Sequence, residues 1–401
     1  MNWTSALPPH HAAWLGLVLE SGVPGEARAA CDDCVMCERP AGRAGRADSS
    51  SVATRTGNRL PESEPHEGGL AVRLLETSGP FFGAETKCCT YLPEIANFLV
   101  GGALKQPDGP GRQGVLGRIE AGIAVTPLGL AKTPEFKARY EAHTFGLKSS
   151  LRCPHYVESD GGTCGIWMQR NAICATWFCK FDRGNVSKRF WATTSRFFKL
   201  MEQGLARWCL TQLDPGASAV ERLVHASDAD RDRAASDATR DTSSELWGRW
   251  FSRELEFFVA CADLVAPLSP AQVLALAGPQ AQLAAGLVRD AFAEVSTRKV
   301  PDPLRAAEVK VLAREPEGVR IETYSPLDPV EVPAALLDTL SEFDGQRANA
   351  EVLSAIRTRF GIDISEALLG DLVDFGLLEA VRTPQDAVAA ALAAIRAQLR
   401  G

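Results

Sequence analysis

The chain has 401 residues, 45% of them apolar and 23% charged, and a formal net charge of −7. That length suits two or three domains with real cores, which excludes the small secreted scaffold that depends on disulfides. The net acidity argues against a nucleic-acid carrier, because neutralising phosphate supplies most non-specific affinity for DNA or RNA.

Residues 1–30 lack a basic start, and the apolar run Ala12 to Leu19 is short and ends at Glu20, so no export signal is read. Arg28 stands where a lipoprotein signal ending at Cys31 wants an aliphatic residue. No run approaches the roughly 18 apolar residues of a membrane span. A cytoplasmic protein with no membrane partner is expected, with its thiols reduced. His10 and His11 read as a solvated pair.

Residues 40–69, rich in Gly, Arg, Ser, Pro and Glu with no hydrophobic period, read as a loop or disordered insertion. Gly109, Gly111 and Gly114 match a G-x-G-x-x-G string, but Pro107, Asp108 and Pro110 make it a loop without the strand and helix that a phosphate site needs. A helix is predicted from Phe190 to about Leu213. Residues 226–244 alternate Asp and Arg and read as a charged linker or solvated helix. Helical spacing returns over Glu245 to Val265 and again after Ser269-Pro270, where Ser caps the first turn and Pro opens it. Trp247, Trp250, Phe251, Phe257 and Phe258 fall at core spacing within it.

From Ala307 the pattern changes. Val309–Ala313 and Val319–Tyr324 read as short strands joined by the turn Glu315 to Gly318. Helices are expected at Ala334–Phe343, Ala348–Phe360 and Ser365–Phe375, with breaks at Asp344-Gly345, Gly361 and Gly376. Thr383-Pro384 would cap a last Ala-rich helix. The expected fold is mainly α with a small α+β part: a cysteine-rich metal-binding domain over 1–215, a helical middle over 245–300, and a winged-helix-like C-terminal domain over 307–401.

Nine of the eleven cysteines lie in the first 179 residues. Cys31, Cys34 and Cys37 follow a C-x2-C-x2-C spacing that aims three sulfurs at one point, as in iron–sulfur proteins. In the ferredoxin pattern the fourth ligand would fall at position 41, which is Ala41, so Cys88 and Cys89 are the nearest candidates. Cys153, Cys164, Cys174 and Cys179 form a second group in which Gly161, Gly162 and Gly165 permit tight turns that bring backbone N–H groups to sulfur. Trp167, Trp177, Phe178 and Phe181 would give such a site a dry wall. Cys209 and Cys261, on apolar helical stretches, read as core. His155 reads as a neighbour of the sulfurs rather than a ligand. All nine N-terminal cysteines are candidate metal ligands. Zinc also accepts four thiolates, but the dispersed spacing favours iron–sulfur, with zinc the alternative.

The run Cys153-Pro-His-Tyr, then Gly162-Thr-Cys164-Gly-Ile-Trp, then Arg170-Asn-Ala-Ile-Cys174, preceded by a Cys-x2-Cys element and Cys88-Cys89, resembles the YkgJ-type cysteine-cluster family over residues 31–183. The resemblance implies a zinc- or iron-chelating domain. Trp167 stands where the family pattern has Tyr, Asn171 where it has Pro, and about 50 residues separate Cys37 from Cys88. One similar branch, the flagellin lysine N-methylases, implies a [4Fe–4S] centre with S-adenosylmethionine, yet no methyltransferase motif is found here.

Residues 307–381 resemble the PqqD-like peptide-recognition domains through Leu336-Leu337, Phe343-Asp-Gly345, Ile362-Asp-Ile-Ser365 and Asp374-Phe-Gly-Leu-Leu378. This implies a protein or peptide partner. The rival is a DNA-binding winged helix, but residues 361–380 hold Asp363, Glu366, Asp371, Asp374 and Glu379 and no Lys or Arg, so they would repel phosphate. Two functions are therefore expected: an enzyme whose metal is a redox or substrate-binding centre acting on a peptide or protein, or a binding module with structural zinc.

Overall fold

A computed structural model describes residues 7–19, 22, 25–26, 34, 36–37, 70–71, 75–76, 82–141, 145–158, 162–224, 240–316 and 318–381. The expected insertion at 40–69, most of the charged linker and the last helix after Thr383 lie outside them. The chain is mainly helical, with several short sheets that are antiparallel in all but one pairing.

In chain order, the N-terminal part holds α1 (Pro9–Val18), β1 (Leu70–Ala71), β2 (Leu75–Glu76), β3 (Ile95–Ala96), α2 (Asn97–Leu104), α3 (Pro110–Glu120), β4 (Val125–Thr126), β5 (Gly129–Leu130) and α4 (Pro134–Glu141). Then follow β6 (Tyr156–Val157), β7 (Thr163–Cys164), α5 (Ala172–Thr176), α6 (Gly184–Leu213), α7 (Ala217–Val224), α8 (Arg240–Trp247), α9 (Glu254–Val265), α10 (Pro270–Ala277) and α11 (Pro279–Ser296).

The central element is α6, 30 residues long, because Phe190, Thr194, Phe197, Met201, Leu205 and Cys209 recur every three or four positions and make one apolar face. It packs against α5, α9, α10 and α11. One core thus runs from Leu7 to Val295, with Phe257, Phe258 and the two core cysteines Cys209 and Cys261 sealed inside. Gly101 lets α2 lie directly on α9, since a Cβ there would stand 1.9 Å from Phe258 O. Asn97 opens α2 wholly buried and fully bonded, donating to Pro127 O and Ala206 O and accepting from Phe98 N. It locks the three-stranded sheet β3-β5-β4 to α6.

The single helix expected over Glu245–Val265 is two. α8 ends at Trp247, Gly248 and Ser252 take left-handed backbone (φ +49° and +61°), and α9 begins at Glu254. The reason is tertiary: a Cβ on Gly248 would strike Pro215 O at 1.7 Å, and Trp250 Nε1 donates to Leu213 O, one of the end carbonyls of α6, at 2.9 Å. Capping α6 overrides the local period. The predicted start of α10 holds, with Ser269 and Gln272 forming a full capping box. No single helix among the described residues is long and apolar enough to cross a membrane. α9 and α10 pass only together, bent by 115°, and they turn Phe257, Phe258 and Val273 into the core.

The C-terminal part has its own core around Ile321, Val332, Leu336, Ile356, Leu372 and Phe375. It comprises β8 (Leu304–Ala306), β9 (Lys310–Arg314), β10 (Val319–Glu322), β11 (Val330–Val332), α12 (Ala334–Thr339), α13 (Asn349–Phe360), β12 (Ile362–Asp363), α14 (Glu366–Asp374) and β13 (Leu378–Ala380). Two predicted strands become a four-stranded sheet ordered β2-β11-β10-β9. Its outer member β2 comes from residues 75–76, and β1 runs parallel to β12, so these four residues before the Cys88–Cys89 pair add to this unit. β9 is the other edge and exposes Val311 and Leu312.

The two cores meet through charge and through Tyr324, whose ring packs on Phe181 of one and Phe375 of the other. Arg183 grips Asp374 with two bonds (2.9 and 3.0 Å), Arg298 binds Asp371 at 2.6 Å and Asp374 at 2.8 Å, and Lys180 pairs with the buried Asp328 at 3.5 Å. Asp363 and Glu379 pair with Arg357 and Arg305. Four of the five acids of residues 361–380 are therefore met by arginines from elsewhere in the chain, so the acidity of that stretch is largely neutralised. This removes much of the charge argument against a phosphate-bearing partner.

Candidate metal centre

Four stretches carry the N-terminal cysteines, and backbone hydrogen bonds tie them together. Cys37 bridges Phe82, whose N–H donates to Met36 O at 2.9 Å, so the Cys34–Cys37 turn lies along the turn that bears Cys88 and Cys89. Cys153 N donates to Cys89 O at 2.8 Å. Pairing of Tyr156 with Cys164, and Gly165 N on His155 O at 2.8 Å, closes the third stretch on itself. Asn171 accepts from Cys174 N as the cap of α5 and donates to Glu94 O, both at 2.9 Å, which holds the fourth stretch beside the second.

Cys34, Cys37, Cys88, Cys89, Cys153, Cys164 and Cys174 thus come into one neighbourhood and feel one another's charge, with Cys88 acting on Cys37, Cys153 and Cys174. Burial first, then the neighbouring sulfurs, push Cys37 and Cys153 up to about 12 and Cys174 well above the ordinary thiol range. For Cys88 the leading cause is a hydrogen bond with the Cys89 thiol. None of the ten described cysteines is in a disulfide. They do not converge on one point: among the described residues no three sulfurs lie within 4.8 Å of one another. Cys31 lies outside the described residues. Cys179 follows α5 in the segment that meets the C-terminal unit, next to Lys180.

Three cations surround these thiols. Lys87, 9% exposed, donates to Gly162 O at 3.1 Å and draws Cys37 and Cys88 down. Arg118, 5% exposed, donates to Ala131 O at 2.7 Å and acts likewise on Cys153. Arg170 lies 3.4 Å over the Trp167 ring, holds Cys174 O at 3.1 Å and acts on Cys174. Lys87 was legible only as the residue before Cys88; nothing in the sequence marks Arg118. His155 is buried beside Cys153, and neither ring nitrogen has a hydrogen-bond partner. Burial, then Arg118, lowers it to about 3, so the imidazole is neutral and able to donate to sulfur or bind metal.

The glycines serve contact more than sulfur solvation. The G-x-G-x-x-G string does open a helix, α3, contrary to the loop reading, but the element before it is α2 and not a strand. A Cβ on Gly111 would stand 1.9 Å from Gly165 O and one on Gly114 2.8 Å from Pro154 O, so these glycines let α3 back the cysteine loop. Gly165 N–H is used by His155 O. Gly162, at φ +87°, lies against the Tyr156 ring. The expected aromatic wall is partial: Phe181 is buried, while Trp167 and Trp177 are exposed.

Beside Cys174 opens a cavity of about 490 Å³ lined by Tyr91, Tyr140, Glu94, Lys132, Glu202 and Arg207, among others. Tyr91 and Tyr140 are both raised by burial first and then by Cys174, and Asn171, Ala172 and Ile173 of the Cys174 stretch form part of the wall. Lys132 joins Tyr91 (2.9 Å) and Glu94 (3.6 Å) at its rim. On its inner side Glu202 meets His11 at 2.8 Å. The histidine pair expected in solvent is inside: His11 is fully buried and stacks on Phe198. Trp14, Leu15 and Val18, at helical spacing from His11, were the available signal. Comparison with family models, with curated proteins and with solved structures returned no match to this chain.

Proposed function

We propose that this protein carries an iron–sulfur cluster, in the simplest form [4Fe–4S], on thiolates drawn from Cys34, Cys37, Cys88, Cys89, Cys153, Cys164 and Cys174. In this reading it belongs with the YkgJ-type cysteine-cluster proteins and is a redox or peptide-modifying enzyme. The observation that carries the reading is the gathering of reduced thiols from four stretches of chain into one neighbourhood, with the buried Arg118, whose Nη1 has no hydrogen-bond partner, beside Cys153. A buried cation such as Arg118 costs free energy unless an anion faces it, and a thiolate becomes that anion when a metal binds. His155, with two unpartnered buried nitrogens, fits a donor to sulfur or a further ligand.

That no three sulfurs among the described residues lie within 4.8 Å of one another favours a cluster over mononuclear zinc. Tetrahedral zinc at a Zn–S distance of about 2.3 Å needs sulfurs about 3.8 Å apart, whereas each thiolate of a cluster binds a different iron. The cavity beside Cys174 would hold the substrate. At the C-terminal unit the partner is a peptide or protein that adds a strand to the exposed edge β9.

Anaerobic purification with metal and sulfide analysis and a visible spectrum tests the centre. Iron with sulfide and a broad charge-transfer absorption is expected; stoichiometric zinc without colour would overturn it. Proline at Val311 in the same preparation should leave iron unchanged and abolish strand addition at β9, and partner binding that survives it removes that part of the reading.

A further inference from the structure

Away from the cysteines, the first helix and the central helix bring together a second set of metal-binding side chains. His10 and His11 on α1 and Glu202 on α6 each present a ligand atom, and these atoms lie within 4.8 Å of one another, the only group of three or more such residues to do so among the described residues. His11 is fully buried and Glu202 is 7% exposed. His11 Nε2 and Glu202 Oε1 are 2.8 Å apart. The His10 ring lies against it, with centroids 4.1 Å apart, and its Nε2 is sealed from solvent with no hydrogen-bond partner. The remaining nitrogen of His11, Nδ1, is also buried and unpartnered.

A hydrogen bond between His11 and Glu202 alone leaves His10 Nε2 unexplained, because a buried polar atom without a partner costs about 1–3 kcal/mol. We infer that His10, His11 and Glu202 form a site for one divalent first-row transition ion, separate from the cysteines. Two imidazoles and a carboxylate are a donor set that suits zinc or ferrous iron and leaves positions open. Ligand atoms about 2.0–2.1 Å from a tetrahedral ion stand about 3.3 Å apart, so the His11–Glu202 contact opens by about half an ångström and His10, within 4.8 Å of both, closes by at most about 1.5 Å. Glu202 also lines the 490 Å³ cavity, so the ion would lie at its inner wall. Arg170 acts on both histidines and opposes a cation, and burial holds the Glu202 carboxyl well above its ordinary range, so the ion displaces that proton and the carboxylate it frees offsets Arg170.

The test uses the full chain with Zn²⁺ added until binding saturates, and reads X-ray absorption at the zinc edge, where nitrogen and sulfur neighbours are distinguished directly. A nitrogen/oxygen shell with the imidazole outer-shell pattern is expected; a shell of sulfur alone overturns the inference. If the cysteines take zinc in place of iron, sulfur appears in addition to the imidazole signal, so failure of the cluster reading is seen separately. His10→Asn, at the half-buried member of the site, should remove the imidazole contribution and weaken Zn²⁺ binding by at least about a hundredfold, since loss of outer partners alone costs 10–100-fold. Imidazole coordination that survives both His10→Asn and Glu202→Gln would also overturn it.

Discussion

Glu26 shows how one side chain ties the cysteine-rich part together. Its two carboxylate oxygens accept from Asp182 N at 2.6 Å and Trp191 Nε1 at 2.8 Å, at the foot of α6. Burial is the main cause that raises it to about 7, against hydrogen bonds that pull the other way. Between pH 4.5 and about 7 the folded state holds a proton on Glu26 that the unfolded chain has released, so stability falls as pH rises through that window. The span corresponds to about 2 kcal/mol after allowance for partial exposure. Thermal midpoints across pH 5–8 should fall in the native chain. Glu26→Gln should flatten the difference, at a pH-independent cost because an amide oxygen cannot serve both donors. A parallel pH dependence in the two proteins would show that Glu26 is not the titrating group.

At the scale of elements, α3 is the brace behind the third cysteine stretch, and its glycines are not equivalent. Gly111 meets Gly165 backbone, whereas a Cβ on Gly117, in the same helix, finds nothing within 4 Å. Gly111→Ala should therefore push α3 off the Cys153–Cys164 loop and destabilise by about 3 kcal/mol or more, with loss of bound metal. Gly117→Ala should stabilise by about 0.5–1 kcal/mol, as Gly→Ala does inside a helix. The pair is read by melting temperature and metal content, and equal effects would refute the bracing role. The same logic explains why α8 and α9 are separate: a close approach and an end carbonyl of α6 outweigh a continuous helical period.

Across the molecule, the joint between the two cores combines a charge network with an aromatic bridge, Phe181–Tyr324–Phe375. Asp374, with only 4% of its side chain exposed, answers both Arg183 and Arg298, and Gly184 passes so close to it that a Cβ would stand 2.5 Å from Asp374 O. Asp374→Asn keeps the shape and removes the charge that both arginines share, while Arg298 keeps Asp371. A cost of about 3 kcal/mol is expected, at the low end for a broken buried pair because both arginines are partly exposed. Denaturant melts should show the C-terminal unit unfolding ahead of the rest, and a single unchanged transition would argue against the joint. This network begins at Lys180, the residue after Cys179, so the cysteine-rich segment runs directly into the contact with the C-terminal unit.

Local patterns determined the helical character, the face of α6, the capping box of α10, the glycine stops at Gly361 and Gly376, and the concentration of thiols. Each is a property of residues three or four apart, or of one residue type, and so survives in one dimension. Only the tertiary structure decided that β1 and β2 leave the cysteine-rich part to pair in the C-terminal unit, that arginines from afar neutralise an acidic helix, and that Lys87 and Arg118 stand among the sulfurs. It also moved His10 and His11 from expected solvent to a buried site beside Glu202, 191 residues from His11. Such contacts depend on which faces meet when cores close, and charge and burial are properties of that meeting rather than of any residue alone.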